Sequence, residues 1–274
     1  MVFTYLVVIK PKAFIFASIL SSMHAISTVR YLILLAIIAG CLGSASVLAD
    51  ISVIPEGGTV FVGEEGIDIS ACGISDGTHI AWWAPGSKRD GEPTRTEIIS
   101  NIHSYYVMSA IFDDAIGRWY TYPEKNPVFT VSQPSLTLQV WDTVSDFDAT
   151  NKWLPKGHIA AFRIVSNLES MAERGSGAPV TIKVETPSGA ELTAVSGFPL
   201  TNISITQQIY LSEGVWNTGE YESGTYTLWA EATANSLSDN NPKAVSEKIT
   251  LLIQGMNPLS KQRDDPSTEV RYMK

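Results

Sequence analysis

The period with which apolar residues recur constrains the fold of this sequence more than any other feature. Between residues 50 and 254, apolar and polar residues alternate in short runs, which Gly, Pro, Asn or Asp interrupts roughly every 8–12 residues. Because successive side chains of a β-strand point to opposite faces, this alternation predicts strands that bury one face. Helical periodicity is nearly absent, so the sequence predicts an all-β protein.

The alternating runs divide near Pro134 into two groups of about seven, the number of strands in one immunoglobulin-like sandwich. Proline cannot donate to a strand ladder and suits the passage between two sheets. We therefore predict two tandem immunoglobulin-like antiparallel β-sandwich domains, at 50–133 and 134–254, followed by a polar C-terminal tail at 255–274. The predicted strands are 51–54, 59–62, 67–72, 79–83, 105–111, 118–122, 128–131, 136–141, 159–166, 180–186, 191–195, 203–211, 225–232 and 245–253.

Both groups of runs end in a similar way. In the second group, Gly224-Thr225-Tyr226-Thr227 has the form of a tyrosine corner, in which the Tyr hydroxyl hydrogen-bonds to backbone upstream. In the first group, Gly117-Arg118-Trp119-Tyr120 occupies the same place before the last strand. This shared ending favours two domains of related plan over one large barrel.

Residues 1–49 have the layout of a signal peptide. Arg30 precedes an apolar run at 31–42, and the small residues that follow suit cleavage before Asp50. The run is shorter than the roughly 20 residues that a membrane-spanning helix needs, so we expect export. Met23 stands where a compact leader would begin, which indicates an over-extended gene model. An N-terminal membrane hairpin is the alternative.

The two cysteines are interpreted separately. Ile38-Ala39-Gly40-Cys41 resembles a lipoprotein box, so lipidation of Cys41 is an alternative to cleavage before Asp50. Loss of the leader leaves Cys72 alone, and a single cysteine cannot close an internal disulfide. We expect Cys72 to be a small buried hydrophobic residue, with an intermolecular bridge or a reactive thiol as the alternative.

The charge balance argues against nucleic acid as a partner. The sequence has 19 basic and 28 acidic residues, and without residues 1–49 the balance is 16 to 28, a net charge of −12. Neutralising phosphates requires clustered Lys and Arg, which this sequence lacks. We also expect no membrane-spanning segment after the leader.

Patterns that would indicate catalysis are weak. Gly73-Ile74-Ser75-Asp76-Gly77 has the letters of a nucleophile elbow, but an elbow is followed by a helix, whereas a strand is predicted next. A turn between two strands is favoured. His79, His103 and His158 are isolated and have no zinc-site spacing, and His79 and His158 are interpreted as residues at strand edges. We predict no catalytic or cofactor-binding residues and no enzyme.

Two segments could bind something other than protein. Asp142, Asp146, Asp148 and Asn151 place oxygen atoms at short spacing, which could form part of a calcium shell, although a solvated acidic loop is favoured. Trp82-Trp83 places adjacent indoles on opposite faces of a strand, so one is expected in the core while the other could bind a sugar or another ligand.

Asn202-Ile203-Ser204 is the only Asn-x-Ser/Thr sequon after the leader. Asn202 is therefore the candidate site of glycosylation, which requires a surface position.

Four segments carry a resemblance to known proteins: Gly58-Thr59-Val60-Phe61-Val62-Gly63-Glu64-Glu65-Gly66-Ile67-Asp68-Ile69, Gly117-Arg118-Trp119-Tyr120, Phe129-Thr130-Val131-Ser132-Gln133-Pro134-Ser135-Leu136 and Gly224-Thr225-Tyr226-Thr227. Together they resemble an exported archaeal surface-protein family, best known in methanogens, that is defined by a domain of unknown function. The resemblance spans nearly all of the sequence after residue 49. It implies an archaeal cell surface and no known chemistry. Many members of that family end in a membrane anchor, whereas this sequence ends in a polar tail, so direct anchoring is not expected.

These observations favour an exported cell-envelope protein with a structural or adhesive role, whose partners are envelope proteins or polysaccharide. The alternative is a carbohydrate- or small-ligand-binding module of the cell surface that uses an exposed Trp. A third possibility is an enzyme of unrecognised type.

Overall fold

A computed structural model describes residues 50–175 and 177–255. Of these residues, 41% are in strands and 13% in helices, and several of the sheets are antiparallel, so the prediction of a mostly β protein is confirmed. The predictions about the leader, Met23, Cys41 and residues 256–274 lie outside the described residues. Within the described residues, no helix is long and apolar enough to cross a membrane.

The first half of the described chain forms one five-stranded sheet with the order β1-β5-β4-β2-β3. The pair β1–β5 is parallel and the other pairs are antiparallel. The strands are β1 (Thr59–Phe61), β2 (His79–Trp82), β3 (Arg95–Ile98), β4 (Gly117–Thr121) and β5 (Pro127–Ser132).

One face of this sheet carries the first core, to which Ile80, Trp119 and Phe129 contribute fully buried side chains. The core is covered by short pieces of structure rather than by a second sheet: a 3₁₀ helix (Ser70–Cys72) and the helix α1 (Ser109–Phe112). The predicted strands at 67–72 and 105–111 are therefore wrong over most of their length. In these segments only isolated bridges form, between Ile67 and Tyr105 and between Asp68 and Val53.

The second half forms two sheets and a small hairpin. One sheet has the order β11-β10-β17-β18-β8, with β14 also on β10, and the other has the order β15-β9-β6-β7, with β16 also on β9. The strands are β6 (Leu136–Asp142), β7 (Phe147–Asp148), β8 (Lys152–Pro155), β9 (Ile159–Ser166), β10 (Ala178–Glu185), β11 (Glu191–Leu192), β12 (Ala194–Val195), β13 (Phe198–Pro199), β14 (Ile203–Ile205), β15 (Ile209–Leu211), β16 (Trp216–Asn217), β17 (Gly224–Ala232) and β18 (Ile249–Gln254).

The two larger sheets of this half share the second core in a sandwich-like arrangement. Strands β6 and β9 alternate buried and partly exposed residues, as do β10, β17 and β18, and their buried members form one cluster. Alternation of this kind is what buries one face of each sheet. Four 3₁₀ helices and the helix α2 (Leu237–Asn240) connect the strands: Leu168–Arg174, Thr218–Glu220, Ala234–Ser236 and Pro242–Ala244.

The two cores do not separate completely along the chain. Phe61 of β1 is fully buried in the second core, although its neighbours Val60 and Val62 belong to the first. The described residues form one compact unit, so the domain boundaries remain a prediction.

The similar segments at the ends of the two halves make the same contact. Tyr226 donates its hydroxyl hydrogen to the carbonyl of Glu222, four residues upstream, at 2.9 Å. Trp119 donates its indole N–H to the carbonyl of Ala115, again four residues upstream and at 2.9 Å. The predicted tyrosine corner is therefore confirmed, and the first half contains an indole version of it.

Candidate functional site

A buried, multiply hydrogen-bonded ion pair lies between the two halves. Arg174, at the end of the 3₁₀ helix Leu168–Arg174, donates to both carboxylate oxygens of Glu64 at 2.6 and 2.9 Å. The two side chains are 1% and 0% exposed. A pair removed from water to this extent is tolerated only where hydrogen bonds satisfy most of its polar atoms.

Backbone and side-chain donors surround the Glu64 carboxylate. The N–H of Phe61 donates to it at 2.7 Å, and the side-chain amide of Asn235 donates at 2.9 Å. Arg174 also donates to the backbone carbonyl of Thr59. The Nε of Arg174 is buried without a hydrogen-bond partner among the described residues. Glu64 is held in a tight turn in which its own N–H donates to the carbonyl of Phe61.

The same turn makes close contact with the segment that contains α2. Asn241 donates to the carbonyl of Val62 at 2.7 Å, and Asn240 donates to the carbonyl of Gly63 at 3.0 Å. Gly63 has a φ of +103°, and a Cβ there would lie 2.8 Å from the Cβ of Asn241. The pairing of Glu64 with Arg174 could not be predicted from the sequence, because a contact across 110 positions leaves no local pattern.

His158 and Asp142, which the sequence suggested for different reasons, lie together. The Nδ1 of His158 is 2.9 Å from a carboxylate oxygen of Asp142, which is fully buried. Burial raises the pKa of Asp142, but hydrogen bonds from His158 and from the N–H groups of Val144 and Ser145 outweigh it and lower the pKa. A carboxylate-oriented imidazole can act as a base, yet no nucleophile contacts this ring among the described residues.

A second pair of this kind is exposed. The Nδ1 of His103 lies 3.2 Å from a carboxylate oxygen of Asp68, and the His103 side chain is mostly in solvent. Hydrogen bonds from Ser70, followed by the one with His103, lower the pKa of Asp68 to about 2. His79 is exposed at the start of β2, as expected for a strand-edge residue.

The residues of the proposed calcium loop are engaged with their own chain. Asp142 accepts from Val144, Asp146 accepts from the indole of Trp141 at 3.0 Å, and Asp148 accepts from Thr150 at 2.9 Å. Asn151 accepts from the N–H of Thr250 at 2.8 Å. In residues 50–175 and 177–255, no three His, Cys, Asp or Glu residues are grouped so that they could hold a metal ion.

The two tryptophans divide as expected between two environments, but neither is exposed. Trp82 belongs to the first core and donates to the carbonyl of Ile116, while Trp83 lies outside that core and donates to the carbonyl of Gly91. Each is only 8% exposed. The prediction that Trp82 or Trp83 presents an exposed indole is therefore wrong. The outward indole, that of Trp83, is covered by the segment that contains Gly91.

Trp83 is instead part of what we term the outer aromatic cluster, formed by Arg89, Trp83, Tyr120 and Tyr122. The ring of Trp83 lies 6.1 Å from that of Tyr120 and 6.4 Å from that of Tyr122. The guanidinium of Arg89 lies 4.9 Å from the ring centre of Tyr120. Tyr122 is 40% exposed and presents the open part of this cluster.

Three further sequence candidates have clear positions. Cys72 is buried, as predicted, and burial raises the pKa of its thiol to about 11. Ser75 lies in a turn closed by the N–H of Thr78, and β2 follows directly, so the nucleophile-elbow geometry is not formed. Asn202 is exposed and so meets the surface requirement of glycosylation, which itself remains a prediction.

A groove of about 720 Å³ lies between β6 and the chain that enters β18. Leu136, Leu138 and Ile249 contribute apolar groups to it, whereas Lys243 and Glu247 contribute charge.

The fold and the buried pair define a class: a β-rich protein in which a desolvated Glu–Arg contact joins the two halves of the described chain. The chain belongs to the family of the domain of unknown function DUF3821, whose model matches residues 56–239. The matched region contains Glu64, Arg174 and Asn235, and it spans both halves. A comparison with curated proteins finds no match.

Proposed function

We propose that this protein is exported and acts in the cell envelope as a structural or adhesive element, through its surfaces and without catalysis. The observation that carries the proposal is the buried bidentate contact between Glu64 and Arg174. A fully desolvated pair with this geometry fixes one relative arrangement of the groups that it joins. A protein that bears load or spaces other molecules requires such stiffness.

The charge and the sequence pattern of the leader support the same proposal. A net charge of −12 after residue 49 favours solubility and the binding of cations at a surface. The layout of residues 1–49 supports cleavage before Asp50, and the resemblance of four segments supports an archaeal, methanogen-type cell surface. In this proposal Asn202 carries a glycan and Cys41 is removed with the leader.

We further propose that both halves derive from an immunoglobulin-like plan. The support is the repeated contact of an aromatic N–H or O–H with the carbonyl four residues upstream, at Tyr226 and at Trp119. The second half, with two sheets around one core, is the closer match. The first half has the corresponding contact of Trp119 but only one sheet.

Fractionation of the source cells, with mass spectrometry of the recovered protein, tests the envelope proposal. We expect the protein in the insoluble surface fraction, beginning at Asp50, with a glycan on Asn202. Recovery from the cytoplasm with residues 1–49 retained would overturn the proposal.

The outer aromatic cluster favours a second candidate function, the binding of a saccharide. Aromatic rings stack on sugar rings, and Tyr122 presents the accessible ring of this cluster beside Trp83. Arg89, held over Tyr120, could donate to hydroxyl or acidic groups of the sugar.

A glycan array tests this candidate. We expect saturable binding that Tyr122→Ala abolishes, because the stacking ring is lost. The matched control is Ile98→Ala, which removes an exposed apolar side chain from β3 in the same half. Equal binding by the wild-type protein and by Tyr122→Ala would exclude the cluster as the sugar site.

A further inference from the structure

Strand β15 ends one of the sheets and presents apolar side chains to solvent. It pairs with β9 on one side, with Tyr210 opposite Ile164, and it is the terminal strand in the order of its sheet. Ile209 and Leu211 are 47% and 57% exposed, whereas Tyr210 is half-buried. Large apolar residues on an open strand edge favour pairing with another chain.

The backbone of β15 has hydrogen-bonding groups that face away from β9. Gln208 accepts from β9 and Ser212 donates to β9, each at 2.9 Å, so the even-numbered residues form the ladder on that side. In an antiparallel ladder the residues between them point their N–H and C=O groups to the opposite side. Those of Ile209 and Leu211 therefore point outward, and no strand of residues 50–175 or 177–255 pairs with them.

We propose that β15 pairs antiparallel with β15 of a second copy of this chain, about a two-fold axis that passes between the two Tyr210 residues. In this register Ile209 faces the second copy's Leu211, and Leu211 faces the second copy's Ile209. Both are hydrogen-bonded pairs, so the outward groups form four backbone hydrogen bonds. The four apolar side chains lie on the same face of the combined sheet, where they cover one another.

Self-complementarity is the reason for choosing a second copy as the occupant. A two-fold contact uses the same surface on both molecules, and here each apolar residue meets the other apolar residue. The flanking residues fit this register too, since Gln207 faces the second copy's Glu213 and no like charges meet. Residues 203–213 contain no Lys, Arg or Pro, the residues that commonly protect strand edges.

Sedimentation equilibrium of the product purified from cells that express the full chain tests the proposal. A three-residue strand gives a small contact, so we expect a monomer–dimer equilibrium with a dissociation constant between about 10 µM and 1 mM. Leu211→Lys should leave the protein monomeric, because it places charge within the apolar strip. Val144→Lys, at a residue that is 58% exposed in the turn after β6, should dimerise like the wild-type protein. A wild-type monomer throughout this range, or a Leu211→Lys variant that dimerises equally well, would overturn the proposal.

A pair of double variants tests the register. In Ile209→Glu with Leu211→Lys, each introduced carboxylate faces an introduced ammonium of the second copy, so the dimer should persist and weaken as salt is added. In Ile209→Lys with Leu211→Lys, only like charges face each other, so the dimer should be lost. Thermal unfolding of both variants checks that the fold is intact. Equal behaviour of the two folded variants would exclude the proposed register.

Discussion

At the scale of single residues, Arg174 has the largest predicted effect on stability. Arg174→Met keeps most of the side-chain volume but leaves the Glu64 carboxylate buried without its cation. We expect the free energy of unfolding to fall by about 3–5 kcal/mol, as for other buried pairs from which one partner is removed. Urea unfolding measures this loss.

The control is an ion pair of similar length in a more exposed position. Lys183 and Glu191 lie 2.6 Å apart, but their side chains are 27% and 51% exposed. Lys183→Met should therefore cost no more than about 1 kcal/mol. If the two variants lose equal stability, burial is not what makes the contact of Arg174 important.

Asp68 should contribute to stability in a pH-dependent way. Its pKa is about 2 in the folded protein against an ordinary value of 3.8, because Ser70 and His103 hydrogen-bond to the ionised form. A lowered folded pKa means that the contribution is complete above about pH 4 and is lost as the pH falls through 2. The stability difference between the wild-type protein and Asp68→Asn should therefore shrink as the pH falls from about 4 to about 2.

Urea unfolding of the wild-type protein and of Asp68→Asn at a series of pH values measures this stability difference. Asp90→Asn, at a carboxylate that is 99% exposed, provides the comparison for loss of a surface charge. A difference for Asp68→Asn that grows as the pH falls would contradict the assignment.

At the scale of elements, the corner contacts should matter in both halves. Tyr226→Phe removes the hydroxyl that satisfies the carbonyl of Glu222, and we expect a loss of about 1 kcal/mol in unfolding free energy. Tyr122→Phe is the control, since its hydroxyl has no hydrogen-bond partner among the described residues. Chemical denaturation compares the two variants, and an equal effect would mean that the corner contact contributes no stability.

The turn at Gly63 should not tolerate a side chain. Gly63→Ala combines a φ of +103° with a Cβ that would lie 2.8 Å from Asn241, so both strain and a clash oppose it. Gly66→Ala shares the strain, at a φ of +72°, but has no atom within 4 Å of its Cβ. We expect Gly63→Ala to be the more destabilising by at least about 1 kcal/mol. Equal melting temperatures for the two variants would contradict the close contact.

Strands could be predicted from the sequence where they are long and bury one face, because apolar and polar residues then alternate over many positions. The prediction at 159–166 coincides with β9, and those at 225–232 and 136–141 differ from β17 and β6 by one residue. Prediction failed at 67–72, where a short alternating run forms a 3₁₀ helix that ends at Gly73 with a φ of +73°. It also missed β3, because Arg95-Thr96-Glu97-Ile98 is too polar to show apolar alternation.

The candidate site was less predictable than the fold. Trp82 and Trp83 were correctly divided between two faces, but the segment that covers Trp83 follows it by several residues and has no apolar pattern. The contact between Glu64 and Arg174 joins positions 110 residues apart, and neither residue lies in a segment that resembles a known site. Pairing at such a separation is set by the fold of the whole chain.

At the scale of the whole molecule, the two cores should unfold together. Phe61 belongs to the second core while its neighbours belong to the first, and the buried ion pair connects the same turn to the 3₁₀ helix Leu168–Arg174. We expect one cooperative transition, because opening either half leaves the ion-pair member in the other half buried without its partner.

Cys72 reports on the first core, since its buried thiol, with a pKa of about 11, reacts with alkylating reagents only after that core opens. Amide exchange in β9 and β17 reports on the second core. The two reporters should give the same urea midpoint in the wild-type protein. A lower midpoint for alkylation of Cys72 would show that the first half opens alone.

The parallel pairs β1–β5 and β8–β18 affect how the chain reaches this structure. Each pair joins an early strand of its half to the last one, and Asn151 and Thr250, which bond beside β8 and β18, are 99 positions apart. Ladders between such distant positions form slowly, because the intervening chain must first be brought together. The chain must therefore be synthesised beyond residue 254 before the sheet that contains β18 can be completed, and until then β8 lacks the one strand with which it pairs.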